Sequence, residues 1–363
     1  MPEQPKYLYV ADTLRREIAE GVFRDGQTLL TEEELRVRFG VSRQTVRQAI
    51  ALLEDDGLVD RRRGSGTYVR HGPRRRQGAL HIGVITTYIT DYIFPTIVSG
   101  IENVLSSNGV VMSLSATYNS SESERRILER MMDGQVDGLI VEGVRTASET
   151  PNEDCYLRLA ERNIPVVFMN GYYRKLKNVP HVVMDDYGGG RMAAREVLSR
   201  GYRRPAGMFK TDDLQGQERA AGFMDEMKMN GITVPEEYLL TFGTEQRMNL
   251  FETQQGIAFA DRLSASGHPD AVVCYNDIFA VNLMTELQRR GVSVPDDIGF
   301  IGFDNSIYSE ISMPPLTTLG HPKEAFGALV AEKLLRMIDG EHERSVNMPW
   351  TLIERESLPV KEE

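Results

Sequence analysis

The 363-residue sequence holds only two cysteines, Cys155 and Cys274, far apart in the chain. Neither stands in a C-x-x-C spacing, so no metal clasp or redox pair is built from them. No leader pattern precedes the first helix, and no apolar run approaches the ~18 residues that a membrane-spanning helix needs. The expectation is a cytoplasmic chain with no membrane partner and reduced thiols, both buried as ordinary core residues. Catalytic signatures are scarce too. There is no Walker loop, Gly188 to Gly190 lacks the G-x-G-x-x-G form, and His81, His181, His268 and His321 show no nucleophile–base spacing. An enzyme is therefore not expected, nor a metal or cofactor. No leucine heptad follows Leu352, so no tetramer-forming tail is expected.

Charge is plentiful but uneven. The formal net charge is −11, yet residues 1–78 hold 15 Lys and Arg against 12 Asp and Glu, and the remainder holds 27 against 41. Arg61 to Arg76 contains seven arginines and no acid. An acidic chain with one basic patch suits a nucleic-acid reader whose other part must not stick to nucleic acid.

The patch ends a patterned stretch, Thr31 to Val69. Thr31 and Glu34 form a T-x-x-E capping box, Leu35 and Phe39 make an apolar stripe, and Gly40 ends the helix. One residue later Ser42 caps a second helix whose buried side is Val46, Ala49, Ile50 and Leu53, and Gly57 stops it. Helices joined by so tight a turn cross steeply, and the first turn of the second, with Arg43, Gln44 and Arg47, projects outward. Arg suits a guanine edge and Gln an adenine edge. Two β-prone runs around Gly64-Ser65-Gly66 then predict a hairpin whose arginine-rich tip suits phosphates and a narrow minor groove. Before this stretch, Val10, Leu14 and Ile18 predict one more helix, about Leu8 to Glu20, ended by Gly21.

Leu8 to Val69 resembles the DNA-binding domain of the GntR family of bacterial regulators. The resemblance is carried by Leu29 with Thr31-Glu32-x-Glu34-Leu35, Phe39-Gly40-Val41-Ser42-Arg43-x-Thr45-Val46-Arg47-x-Ala49, Gly57-Leu58-Val59 and Gly64-x-Gly66-Thr67. Leu30 departs from it, standing where the family usually has proline. The resemblance places DNA contacts on Glu32, Ser42, Arg43, Gln44, Thr45, Arg47, Arg63 and Gly66. Glu32 admits two readings, an acceptor for a cytosine amino group or a first-turn acid favoured by the helix dipole.

The expected domains are a winged helix-turn-helix over 1–70, a linker over 71–79, and a core over 80–363. Gly72, Pro73 and Gly78 break regular structure in the linker, and Arg74 to Arg76 can add nonspecific phosphate affinity. From Leu80 onward, short apolar strands alternate with helices, which predicts parallel sheets covered on both faces. Predicted helices include one from about 247 to 266 and one from Pro322 to Ile338. More than ten strands exceed one compact sheet, so two α/β subdomains with a cleft are expected. Ligand groups then fall at the C-terminal strand ends: Asp91, Tyr92 and Phe94 after the first strand, and Glu142, Asn170, Lys210, Asn276 and Asp304 after later ones. Arg219 lies on the helix after Lys210. Carboxylates, amides and aromatic rings together suit a neutral polyol.

Residues 80–357 resemble the effector-binding core of the LacI/GalR family. The matching segments include Asp137-Gly138-Leu139-Ile140, Arg219-x-x-Gly222-Phe223, Asn276-Asp277, Ile301-Gly302-Phe303-Asp304 and Pro314-Pro315-Leu316-Thr317-Thr318. That resemblance implies a two-lobed, periplasmic-binding-protein-like α/β core, with Arg219, Asn276 and Asp304 on the effector. The GntR-like reader replaces that family's own reader and hinge helix. The hybrid is similar to the arabinose-repressor family of Gram-positive bacteria, with finer likeness in Thr86-Thr87-Tyr88-Ile89-x-Asp91-Tyr92-Ile93-Phe94-Pro95, Lys210-x-Asp212-Asp213-x-Gln215-Gly216 and His321-Pro322-Lys323. It implies a homodimeric repressor on a near-palindromic operator, released by L-arabinose. Residue chemistry alone stops at a small neutral polyol. A regulator of the same build that answers another sugar or a purine, or that activates, remains open at this point.

Overall fold

In the computed structural model the described residues are 5–19, 21–24, 26–62, 66–69, 79–90, 92–148 and 150–361. They form two compact units, residues 1–80 with 335–343 and residues 81–334 with 344–363.

The first unit holds three helices and a hairpin: α1 (Lys6–Ala19), α2 (Glu32–Phe39), α3 (Arg43–Asp55), β1 (Val59–Arg62) and β2 (Gly66–Val69). Val10, Leu14 and Ile18 recur every four residues, so one side of α1 is apolar, and all three are buried with Leu35, Val46, Ile50, Leu53 and Val69. β1 and β2 pair antiparallel, with Val59 opposite Val69 and Arg62 opposite Gly66. The hairpin has a third member that no sequence pattern announced. Thr28 bridges Tyr68, and the Leu29 N–H donates to the Thr67 carbonyl at 2.7 Å. The chain entering α2 is thereby tied to the wing. Residues 63–65 and 70–78, which include Arg63 and most of the expected linker, lie outside the described residues.

The second unit begins with a first lobe of β3 (His81–Thr86), α4 (Phe94–Ser107), β4 (Val111–Ala116), α5 (Ser121–Asp133), β5 (Gly138–Val141), α6 (Glu153–Glu161), β6 (Val166–Met169) and β7 (His181–Met184). A second lobe follows: α7 (Asp186–Ser199), β8 (Pro205–Lys210), α8 (Leu214–Met229), β9 (Leu239–Phe242), α9 (Gln254–Ser264), β10 (Ala271–Cys274), α10 (Asp277–Arg289), β11 (Gly299–Phe303), α11 (Ile307–Ile311) and β12 (Thr317–Gly320). The chain then returns through α12 (Lys323–Ile338), which lies on α4, and β13 (Val346–Met348), and ends with β14 (Thr351–Ile353).

Each lobe is a six-stranded sheet, ordered β13-β7-β6-β5-β3-β4 and β14-β12-β11-β10-β8-β9. Pairing is parallel throughout except for β14, which runs antiparallel to β12. The central strands are continuous apolar runs because helices cover both faces; Val166–Met169 and Ala271–Cys274 are wholly buried. Three connections cross between lobes: β7 to α7, β12 to α12, and β13 to β14. Helices α7 and α8 touch through backbone, since a Cβ on Gly190 would stand 2.1 Å from the Arg219 carbonyl oxygen. That contact sets the height of α8, and with it Arg219, against the sheet.

Two helices differ from the sequence pattern. The stretch expected as one helix over 247–266 breaks into a short 3-10 turn at Leu250–Glu252 and α9, because the Thr253 hydroxyl caps the Gly256 N–H at 3.1 Å. The five-residue α11 carried no periodicity long enough to detect. Both cysteines are buried and free. Among the described residues no helix is long and apolar enough to cross a membrane.

Candidate functional site

The first unit presents the start of α3. The capping box forms at α2: the Glu34 carboxylate accepts from the Thr31 N–H at 2.7 Å, and the Thr31 hydroxyl accepts from the Glu34 N–H at 3.2 Å. Donation from the Thr31 N–H and from its hydroxyl, the latter at 2.8 Å, holds the Glu34 carboxyl below its ordinary range. Gly40 turns the chain at φ 61°, and Ser42 caps α3 by accepting from the Thr45 N–H at 3.1 Å. Ser42 and Thr45 therefore share a hydroxyl pair, 2.8 Å apart, at the tip of the helix.

Arg43, Gln44 and Arg47 are all exposed on one side of that first turn. Glu32, from the start of α2, accepts from Nε of Arg43 at 3.0 Å and from Nε of Arg47 at 3.0 Å. Burial pushes the Glu32 carboxyl up, but the two arginine hydrogen bonds outweigh it and hold it low. Its two sequence readings thus gain a third element: Glu32 gathers the two arginines onto one carboxylate while leaving 69% and 57% of their side chains exposed. Gly66 opens β2 at φ 119°, a conformation that L side chains rarely adopt, and Arg62 covers the Tyr68 ring at 4.5 Å.

In the second unit the strand ends converge on one cavity between the lobes. Tyr92, Phe94, Glu142 and Asn170 reach it from the first lobe, and Lys210, Arg219, Asn276 and Asp304 from the second. Asp91 lies outside the described residues.

Arg219 is the hub. It is 3% exposed, donates from Nε to Asp186 at 2.8 Å and from Nη1 to the Tyr275 carbonyl at 2.7 Å, and has Asp304 3.6 Å from Nη2. Its guanidinium sits 4.4 Å from the Phe303 ring centre and 5.0 Å from that of Trp350. Lys210 donates to Asp213 at 2.9 Å, and the Tyr275 hydroxyl donates to the same carboxylate oxygen at 2.8 Å. Burial pushes the Glu142 carboxyl up to about 7, against donations from the Thr87 N–H at 2.6 Å and the Thr87 hydroxyl. Burial likewise raises Asp277 to about 7 and Asp186 to about 6, the latter opposed by Arg219.

Two lining side chains were not assigned to the site from the sequence. His321 follows β12, and Trp350, the one tryptophan of the chain, sits in the β13–β14 crossover. Both are buried, and among the described residues neither ring nitrogen of His321 nor Nε1 of Trp350 has a hydrogen-bond partner. Burial holds His321 down, to about 4, so the imidazole is neutral at pH 7 and carries one donor and one acceptor. Unmade bonds at buried polar atoms are costly, and atoms left so in a cavity wall suit a hydroxylated guest. The strand-end rule reaches His321; nothing local marks Trp350, because its strand crosses between lobes. Asp213, seen only as part of a motif, and Tyr275 also line the cavity.

Comparison with known proteins matches both parts. Residues 6–69 match the model of bacterial regulatory proteins of the gntR family, and residues 194–358 match a periplasmic binding protein-like domain. The chain is 38% identical over 358 residues to the arabinose metabolism transcriptional repressor of Geobacillus stearothermophilus, covering 98% of this chain and 97% of that one. Its counterpart in Halalkalibacterium halodurans is 34% identical, with 99% and 96% covered. Among solved structures, a periplasmic binding protein/LacI transcriptional regulator from Alkaliphilus metalliredigens, complexed with D-xylulofuranose, aligns with a TM-score of 0.66 at 28% identity, over 77% of this chain and 99% of that one.

Proposed function

The chain belongs to the family of arabinose metabolism transcriptional repressors, and from that premise we propose that it holds arabinose-utilisation genes off until L-arabinose fills the pocket. It acts in the cytoplasm, where its operator is. Arg43, Gln44 and Arg47 read base edges, Ser42 and Thr45 meet the adjacent phosphate with their paired hydroxyls, and Gly66 with Arg63 brings the wing to the backbone. Glu32 guides the two arginines, and its other reading is an acceptor for a cytosine amino group.

The observation that carries the effector reading is the set of polar atoms on His321 and Trp350 that have no partner among the described residues, beside a lysine and an arginine already paired with carboxylates. Lys210 with Asp213, and Arg219 with Asp186, are internally neutralised. A neutral polyol with hydroxyls on one edge and C–H groups on the other fits that wall. Glu142, Asn170, Asn276 and Asp304 supply donors and acceptors for its hydroxyls, and Phe94 supplies an apolar face. A homodimer forms through the core, and α11 with its following turn offers the surface: Ile307, Ile311 and Met313 are 57%, 66% and 79% exposed. Two-fold symmetry then asks for a near-palindromic operator.

The test is operator binding by fluorescence anisotropy with L-arabinose, D-xylose, D-galactose or buffer. Release by L-arabinose alone is expected. Release by another sugar replaces the effector, and no response to any sugar overturns the sugar reading. Trp350 fluorescence gives an independent measure of pocket occupancy.

A further inference from the structure

Tyr92 lines the effector pocket, yet its hydroxyl is not open to a guest. It belongs to the loop between β3 and α4 in the first lobe, at φ 64°. Its hydroxyl donates to Asp304 Oδ2 at 2.6 Å, with the Phe303 carbonyl at 3.0 Å, and accepts from the Asp277 N–H at 3.3 Å. A first-lobe side chain is therefore seated among the strand ends of the second lobe. A phenol has one proton, and the shortest contact assigns it to Asp304. The other oxygen of Asp304 faces Arg219 at 3.6 Å.

The ring has a second neighbour. Tyr92 stacks on Tyr308 of α11, with centroids 6.5 Å apart and planes 28° apart. It forms the wall between the effector pocket and an outer groove lined by Thr96, Ile307, Glu310 and Lys323. One side chain thus touches the carboxylate that a sugar needs and the helix that bears exposed Ile307 and Ile311.

We infer that the Tyr92 hydroxyl competes internally with the effector for Asp304, and that its displacement carries occupancy of the pocket to α11. This rests on the sugar-effector reading above. Two neighbouring sugar hydroxyls donate into both oxygens of a carboxylate, as a guanidinium does, and Oδ2 is the oxygen Tyr92 holds. Seating the sugar breaks the Tyr92 bond and frees the ring to move against Tyr308. A ligand shifts a conformational balance only through a contact that differs between the two arrangements, and this hydrogen bond is such a contact.

The competition has a sign that a supporting residue does not share. A tyrosine that merely braced the pocket would weaken sugar binding when its hydroxyl is removed. A competitor strengthens it. In the full-length Tyr92→Phe protein, L-arabinose titrated by Trp350 fluorescence should bind about three- to tenfold tighter, the worth of one ordinary hydrogen bond. The sugar-induced loss of operator affinity should shrink by a similar factor. Equal or weaker sugar affinity in Tyr92→Phe overturns the competition, whether or not its thermal midpoint also falls. Tyr308→Leu keeps the hydroxyl and removes the stack. It should bind L-arabinose as the parent does while releasing operator less completely, and full release would overturn the relay to α11. The parent protein separates the two readings. If it answers no sugar, the effector reading fails and takes this inference with it; if it responds to L-arabinose and Tyr92→Phe does not tighten, only this inference fails.

Discussion

The exposed start of α3 and the pocket are built from the same chemistry, arginine against carboxylate, under opposite solvent conditions. Arg43 and Arg47 share Glu32 with more than half of each arginine side chain exposed. Arg219 shares Asp186 and Asp304 with side chains only 4% to 7% exposed. Exposed ion pairs are weak, about 0–1 kcal/mol, because water and salt compete for both partners. Glu32 can therefore orient the two arginines without withholding them from DNA. A buried pair is different, since removing one partner strands the other charge where nothing solvates it. Arg219 is accordingly fixed, and its task is to hold Asp304 and the aromatic wall in place.

That contrast orders the expected effects. The largest belongs to Arg219→Met, which strands Asp186 and Asp304 and should cost the core about 3–5 kcal/mol in urea unfolding. A loss under about 1 kcal/mol would show that the pocket charges are solvated after all, and would break the comparison. Arg47→Ala comes next. It should weaken operator binding by about 1–3 kcal/mol and leave stability within about 0.5 kcal/mol. A stability loss as large as the binding loss would mean that Arg47 is structural.

The pocket carboxylates give a pH signature of smaller size. Burial lifts Glu142 from its ordinary 4.5 to about 7. A carboxyl whose affinity for protons rises on folding contributes stability at low pH and loses it as pH climbs through the folded value. Asp277 and Asp186 carry the same sign, whereas His321, lowered on folding, carries the opposite one below its ordinary value of 6.5. Glu142→Gln should therefore lose urea stability less steeply than the parent between about pH 5 and pH 7. Identical slopes would place the Glu142 titration outside that window.

Glu32→Gln should do least. The change in operator affinity should stay under about 1 kcal/mol and vanish at high salt, where exposed charges no longer sense each other. A salt-independent loss of 1–3 kcal/mol, about the worth of one base-edge contact, would instead favour a direct bond from Glu32 to cytosine.

How far the sequence reached depended on whether a feature was local. Caps, stripes and glycine stops are decided within four residues, so Thr31, Glu34, Gly40 and Ser42 could be placed before any fold was known. Strand-end residues were nearly as legible, because alternating apolar strands and helices fix which end of a strand faces the cleft. Eight of the nine proposed pocket residues line one cavity, and the ninth, Asp91, lies outside the described residues. One local cap was passed over: Thr253 ended a pattern that looked helical through it. The other failures were set by distant chain. Thr28 joined the wing from outside the hairpin.

By itself, then, the sequence determined the two-part build, the outward first turn of α3, the alternation that makes a two-lobed core, and the carboxylates and amides at the strand ends. Those follow from short-range periodicity and capping, which need no knowledge of neighbours. Only the tertiary structure decided which groups are free to act. It put Trp350 into the pocket from a strand crossover, left both nitrogens of His321 without partners among the described residues, and spent the Tyr92 hydroxyl on Asp304. Hydrogen bonds between residues 212 positions apart are settled by packing, and no local pattern encodes them.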